Sequence, residues 1–221
     1  MNTRAAARPL DQRASDAAYD RWAPVYDFVF DLPFEPGRRA AAEAAGKAAG
    51  RNGEILVVGV GTGLELPMLP VCARVTGVDV SRPMLDVARR RVARLRLDQV
   101  KALHEMDAQA LELDDASFDV ALAPYVMSVV PDPAKALDEM WRVVRPGGEL
   151  VVMNHFSAEA GWRVGVEKAM EGAAHWLGWR PRFPYAAVGD WLAARPEARL
   201  IERRELPPLA MFTLLRIGKP G

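Results

Sequence analysis

Gly59, Gly61 and Gly63 stand at alternate positions in Val58-Gly59-Val60-Gly61-Thr62-Gly63. Glycines spaced this way let a backbone turn tightly and pass close to a ligand, with helix N–H groups facing it. Asp79, in Val78-Asp79-Val80, follows about 20 residues later, where a carboxylate can accept from ribose hydroxyls. Asp107, in Met106-Asp107-Ala108, is a second acid of the same kind and could accept from an adenine amino group. Taken singly, each signal is weak. Nicotinamide-binding folds use a near relative of the loop, a tight turn explains it without any ligand, and a lone strand-end Asp is more often a turn cap. Three such features on consecutive units are hard to explain as caps.

The elements that must position these residues alternate along the chain. From Glu54 to Phe156, short β-branched runs are interleaved with amphipathic helices, the pattern of βαβ units on a parallel sheet. Strands are expected at Ile55–Val60, Val75–Val80, Val100–Met106, Phe118–Ala123 and Glu149–Asn154, with helices beginning near Gly63, Ser81 and Asp132. Ser81-Arg82-Pro83 and Asp132-Pro133 each pair a capping side chain with a proline tolerated in the first turn. Arg145-Pro146-Gly147-Gly148 breaks the last of these helices and turns the chain into the next strand. A Trp-rich helical stretch follows (Trp162, Trp176, Trp179, Trp191), then two strands at about Arg199–Glu205 and Leu209–Ile217. Their connection, Leu206-Pro207-Pro208, is too short for a crossover helix, so they should pair antiparallel. The expected fold is α/β, Rossmann-like, with a seven-stranded, mostly parallel sheet ending in an antiparallel hairpin. That topology disfavours a dehydrogenase.

Composition closes off other classes. Lys plus Arg is 29 and Asp plus Glu is 29, so no net field attracts nucleic acid wholesale. The single cysteine, Cys72, excludes an intramolecular disulfide framework and a Cys-based zinc cluster, and fits a reducing compartment; no metal is expected. The longest apolar stretch, Phe118 to Pro131, is interrupted by Asp119, Pro124 and Ser128 and falls short of the roughly 20 residues that span a bilayer. The first residues carry Arg4 and Arg8 where a signal peptide has its apolar core. These features lead to the expectation of a cytoplasmic protein able to lie on a membrane surface.

The glycine loop, Asp79, Asp107 and the Arg142-Val143-Val144-Arg145-Pro146-Gly147-Gly148 segment together resemble the class I S-adenosylmethionine (SAM)-dependent methyltransferases. Within that superfamily the chain is similar to the bacterial phosphatidylethanolamine N-methyltransferases over nearly its whole length. The likeness is carried by Tyr19-Asp20-Arg21-Trp22-Ala23-Pro24-Val25-Tyr26-Asp27, Ala123-Pro124-Tyr125-Val126-Met127-Ser128 and Val152-Met153-Asn154-His155-Phe156. It continues in Leu177-Gly178-Trp179-Arg180-Pro181 and Leu200-Ile201-Glu202-Arg203-Arg204. The resemblance implies that Gly59, Gly61 and Gly63 cradle the methionine end of SAM. It implies that Asp79 holds the ribose diol, that Met84 lies near the adenine, and that Asp107 and Ala108 read the adenine edge. It divides the chain into an N-terminal helical lid and membrane-contact segment, 1–53, and a methyltransferase domain, 54–221, with the Tyr19-to-Tyr26 helix closing over the cofactor.

One position departs from the family pattern. Members usually carry an acid two residues before the first glycine, and here that residue is Val57. Losing a hydrogen bond to a charged group costs on the order of 1.5–3 kcal/mol, so weaker SAM binding than in relatives is expected.

Methylating an amine requires a neutral nitrogen lone pair in line with the methyl group. With an ordinary pKa near 10.4, only about one ammonium in two thousand is neutral at pH 7. The expected catalytic residues are therefore Tyr19 and Tyr26 on the lid, Tyr125 after the fourth strand and His155 after the fifth. The aromatics can hold a methylated cation, and the imidazole can take the proton or orient a tyrosine. The lipid phosphate is assigned to Arg180 and Arg182, with Tyr185 closing the pocket. Anionic membrane contact is expected from Arg4, Arg8 and Arg13, while Arg82, Arg89, Arg90, Arg91, Arg94 and Arg96 read as a solvated outer helix face. The expected partners are thus phosphatidylethanolamine, its methylated derivatives and an anionic inner membrane face. The rival expectations are a methyltransferase for a quinone or another small molecule, and a non-catalytic SAM- or lipid-binding relative.

Overall fold

The computed structural model describes residues 26–157, 183–207 and 210–221. Its centre is a seven-stranded sheet: β1 Glu54–Val58, β2 Arg74–Asp79, β3 Val100–Glu105, β4 Phe118–Pro124, β5 Val144–His155, β6 Arg199–Leu206 and β7 Phe212–Gly218. The strand order is β3-β2-β1-β4-β5-β7-β6. The first five strands are parallel and β7 pairs antiparallel with both β5 and β6. The order reverses between β1 and β4, which puts the switch point of the sheet beside the glycine loop.

Four helices among the described residues flank the sheet: α1 Tyr26–Ala49, α2 Arg82–Leu95, α3 Pro133–Val143 and α4 Ala186–Ala193. The alanine-rich end of α1 buries Ala41, Ala42, Ala44 and Ala45 against β1, β4 and β5 residues, because small side chains let the helix approach the sheet closely. The helix stops at Gly50, which adopts φ +66° and returns its N–H to the Gly46 carbonyl at 3.2 Å. On the opposite face, α3 and α4 pack Leu137, Met140, Val188 and Trp191 over β4, β5 and β7. The Trp191 indole donates to Asp138 at 2.6 Å and so ties α4 to α3.

Ser81 caps α2 through the Met84 N–H, and Asp132 caps α3 through the N–H groups of Ala134 and Lys135. Each cap is followed by a proline in the first turn, as the sequence requires. One expected helix is absent. After Gly63 the chain makes only a 3-10 turn, Leu66–Met68. Pro67 and Pro70 lack the N–H groups a longer helix would need, which explains the correction.

Candidate active site

The turn after β1 is held by main-chain hydrogen bonds to the end of β2. Gly59 and Val60 donate to the Val78 carbonyl at 2.9 and 3.0 Å, and Gly63 donates back to Val60 at 2.8 Å. Gly61, at φ +52°, has open space where a Cβ would stand, the form of a cradle for a ligand. Gly59, at φ +70°, has no such freedom: a Cβ there would run into the Val126 side chain.

Asp79 fastens this loop. Its Oδ2 accepts from the Gly61 N–H at 2.8 Å and its Oδ1 from the Ser81 N–H at 2.9 Å. Burial pushes its carboxyl above the ordinary value, against the pull of the N–H donors of Ser81, Gly61 and Val80. Each oxygen keeps a further lone pair for a ligand hydroxyl. Met84 is buried at the start of α2, one turn beyond Asp79.

Asp107 begins the segment after β3, and Gln109 occupies it. The Gln109 backbone N–H donates to Asp107 Oδ1 at 2.9 Å, and its side-chain amide donates to both oxygens at 3.0 and 3.1 Å. Ala108 is buried against the core between them. The segment that follows is fixed by Arg142, which donates to the carbonyls of Leu111 and Leu113 at 2.8 Å each, while Glu139 accepts the Leu111 N–H at 2.7 Å.

The second half of the site gathers at the ends of β4, β5 and β7. Tyr125 adopts φ +63°, a left-handed conformation that costs a tyrosine of order 1–3 kcal/mol and clusters at functional positions. Its hydroxyl donates to the Phe34 carbonyl on α1 at 3.0 Å, and burial raises its pKa above the ordinary tyrosine value. Its ring meets Phe34 and Phe212 edge-on, at 4.8 and 5.3 Å between centroids.

His155, 2% exposed, lies on the other side of Phe212, with ring centroids 6.5 Å apart. Its Nδ1 is 2.8 Å from the Met211 carbonyl. A carbonyl only accepts, so Nδ1 carries the hydrogen and Nε2 is the basic nitrogen of the neutral ring. Asn154, fully buried, donates to the His155 carbonyl, while among the described residues its own Oδ1 has no partner.

The structure therefore brings Gly59, Gly61, Gly63, Asp79 and Met84 to one edge of the sheet with Asp107 and Ala108, and places Tyr125 and His155 along that same edge. Tyr185 lies further off, against Phe156 at 5.6 Å and beneath the Arg203 guanidinium at 4.1 Å. Tyr19, Arg180 and Arg182 fall outside the described residues, as does the side chain of Tyr26.

Val57 is fully buried within β1 among aliphatic neighbours and presents nothing polar. Sequence reasoning noted Glu54 and Glu65 near the loop but set both aside because neither stands at the position of Val57, and it missed Arg38; Glu65 and Arg38 are both buried. It also missed Gln109, whose signal was only its position two residues after Asp107. Arg91, assigned to the outer face of α2, instead donates to the Thr62 carbonyl and hydroxyl in the loop.

Known proteins share the fold and the family of this chain. Residues 56–152 match the family model described as a methyltransferase domain. The chain is 41% identical over 211 residues to a phosphatidylethanolamine N-methyltransferase of Cereibacter sphaeroides, covering 95% of this chain and 100% of that one. It is 36% identical to a demethylmenaquinone methyltransferase of Renibacterium salmoninarum, over 65% of this chain and 60% of that one. Among solved structures it shares its fold with the [4+2]-cyclase SpnF, at a TM-score of 0.74 and 19% identity, covering 97% and 98% of the two chains. A SAM-dependent methyltransferase of Aquifex aeolicus gives 0.63 and 18%, covering 95% and 98%. A cyclase with this fold shows that the fold alone does not fix the chemistry. The full-length match does fix the family: the chain is a SAM-dependent methyltransferase and belongs to the family of the bacterial phosphatidylethanolamine N-methyltransferases.

Proposed function

We propose that this enzyme transfers methyl groups from SAM to the amine of phosphatidylethanolamine, and successively onward to phosphatidylcholine, at an anionic membrane surface. The observation that carries the reading is the 41% identity running the full length of a relative with that name. The site's residues fit the cofactor: the open cradle at Gly61 and the Asp79 carboxylate suit a nucleoside with a charged tail.

When bound, SAM supplies an electrophilic methyl on its sulfonium, which departs as the neutral thioether. In this reading the amides around Gly61 receive the methionyl end, and the remaining lone pairs of Asp79 accept the ribose hydroxyls. Met84 and Ala108 border the adenine, while Asp107 accepts from its amino group by exchanging a hydrogen bond with Gln109. His155 Nε2 takes the ammonium proton, leaving the nitrogen lone pair to form the new N–C bond. Tyr125, whose hydroxyl is committed to Phe34, contributes its ring face to a cation that loses its N–H donors as methyls accumulate. Tyr19 and Tyr26 add further ring faces from a closing lid, and Arg180 and Arg182 meet the phosphate, with Tyr185 at the pocket wall.

Membrane contact is assigned to Arg4, Arg8 and Arg13, with Arg82, Arg90, Arg94 and Arg96 exposed on and just past α2 as a second basic face. No helix among the described residues is long and apolar enough to cross a membrane, which suits peripheral attachment to the inner face.

The demethylmenaquinone methyltransferase match over 65% of the chain supports a second reading, with a quinone as acceptor. Incubation with SAM and either acceptor, followed by mass spectrometry, separates the two. Mass gain on phosphatidylethanolamine in anionic micelles supports the proposal; gain on the quinone alone overturns it.

A further inference from the structure

Glu65 is the only acid in the buried class among the described residues, at 4% exposed. It opens the 3-10 turn directly after the glycine loop, yet its side chain caps no N–H of that turn, and among the described residues its Oε1 has no hydrogen-bond donor. Burial pushes its carboxyl up to about 7, a rise opposed by a backbone hydrogen bond and by the cations of Arg38 and Arg91, and reinforced by Asp79. These neighbours fix its place. Arg91 holds the Thr62 carbonyl and Asp79 holds the Gly61 N–H, so Glu65, two residues after Gly63, lies beside the cradle, with the buried Arg38 of α1 near enough to act on its charge.

A buried carboxylate oxygen without a donor is costly, and chains keep one where a ligand completes it. A buried guanidinium beside a buried carboxylate is the complement of a zwitterionic amino-acid head, whose ammonium and carboxylate are adjacent. The other acid at the loop, Asp79, holds the Gly61 and Ser81 N–H groups and in the proposed reading gives its remaining lone pairs to the ribose, and β1 contributes only buried aliphatic residues from Ile55 to Val58.

We propose that Glu65 is a cofactor-binding residue, its Oε1 accepting from the α-ammonium of the methionyl end of SAM while Arg38 supplies the positive charge facing the α-carboxylate. This rests on the SAM reading of the glycine loop.

Calorimetric binding of two probes tests it without turnover. S-adenosylhomocysteine carries the amino-acid head, and 5′-methylthioadenosine lacks it. Glu65→Gln should weaken the first at least tenfold, roughly the loss of one charged hydrogen bond, and leave the second within about twofold. Equal weakening of both, or of neither, would overturn the assignment. A wild-type protein that binds neither probe would instead remove the SAM reading, and this inference with it, before any variant is made.

The wild-type protein alone gives a second readout, should the variant not fold. With its carboxyl pushed up to about 7 by burial, Glu65 is partly protonated at pH 7 in the ligand-free protein. Its neighbours Arg38 on α1, Arg91 on α2 and Asp79 at the end of β2 keep their places on binding. An arriving ammonium favours the carboxylate, so binding the homocysteine probe at pH 7 releases more protons than binding the thioadenosine. Equal proton release for the two probes would overturn the proposal.

Discussion

At the β1–β3 edge, the groups that meet a ligand are backbone amides and carboxylates supplied by neighbouring units, as when Asp79 reaches 18 residues back to Gly61. At the β4–β5–β7 edge they are rings assembled over longer separations: Tyr125 bonds Phe34 across 91 residues, and His155 meets Met211 across 56. In the proposed reading the first edge grips a constant molecule, the cofactor, through fixed dipoles. The second shapes an apolar wall from side chains that a different acceptor could repack. The difference teaches that cofactor use and acceptor choice are separable in this chain, and that substitutions should separate them too.

The largest effect is expected where the first edge is fastened. Asp79→Ala removes the anchor of both the Gly61 and Ser81 N–H groups, and S-adenosylhomocysteine affinity should fall on the order of 100-fold or more by calorimetry. Retained affinity would mean that the loop holds its shape without the acid.

A comparable energy is stored in Glu65 and can be read from stability. Its carboxyl lies near 4.5 when unfolded and about 7 when folded, so the folded state binds the extra proton between those values. Stability of the ligand-free protein should therefore fall as pH rises from about 5 through 7, by about 3 kcal/mol once fully ionised. Glu65→Gln should flatten that slope in urea titrations at pH 5.5 and 8; an unchanged slope would place the cost elsewhere.

At the second edge the expected change is smaller and differently distributed. Tyr125→Phe loses one hydroxyl bond to the Phe34 carbonyl, about 1 kcal/mol of stability, and keeps the ring contacts with Phe34 and Phe212. Methyl transfer should fall less than tenfold, with homocysteine-probe affinity unchanged. Abolished turnover would make the hydroxyl itself catalytic and sharpen the acceptor edge into a site of proton chemistry.

The smallest effect belongs to Gln109→Ala. It frees Asp107 from a partner that adenine would otherwise displace, and should alter probe affinity by no more than about threefold, in either direction.

The contrast also explains what the sequence disclosed. Glycine spacing, Asp79 and the Ser81 and Asp132 caps act over a few residues or one βα unit, so their geometry is written locally, as is the antiparallel β6–β7 hairpin. Glu65 was set aside on its position because nothing local marks an acid as buried; its surroundings include Arg38 of α1 and Arg91 of α2, both distant in sequence. Arg91 was misplaced for the same reason, since its helix face alone reads as solvent-facing. The helix expected after Gly63 failed on a local signal, Pro67 and Pro70, that was outweighed by the βαβ pattern.

The account's central claim is methyl transfer from SAM to a lipid nitrogen. SAM with a trideuterated methyl, incubated with the protein and phosphatidylethanolamine in anionic micelles, tests it most directly, with tandem mass spectrometry of the released headgroup. The account predicts label on the headgroup nitrogen, accumulating in steps. Label absent from every lipid nitrogen, while S-adenosylhomocysteine still binds, would contradict it.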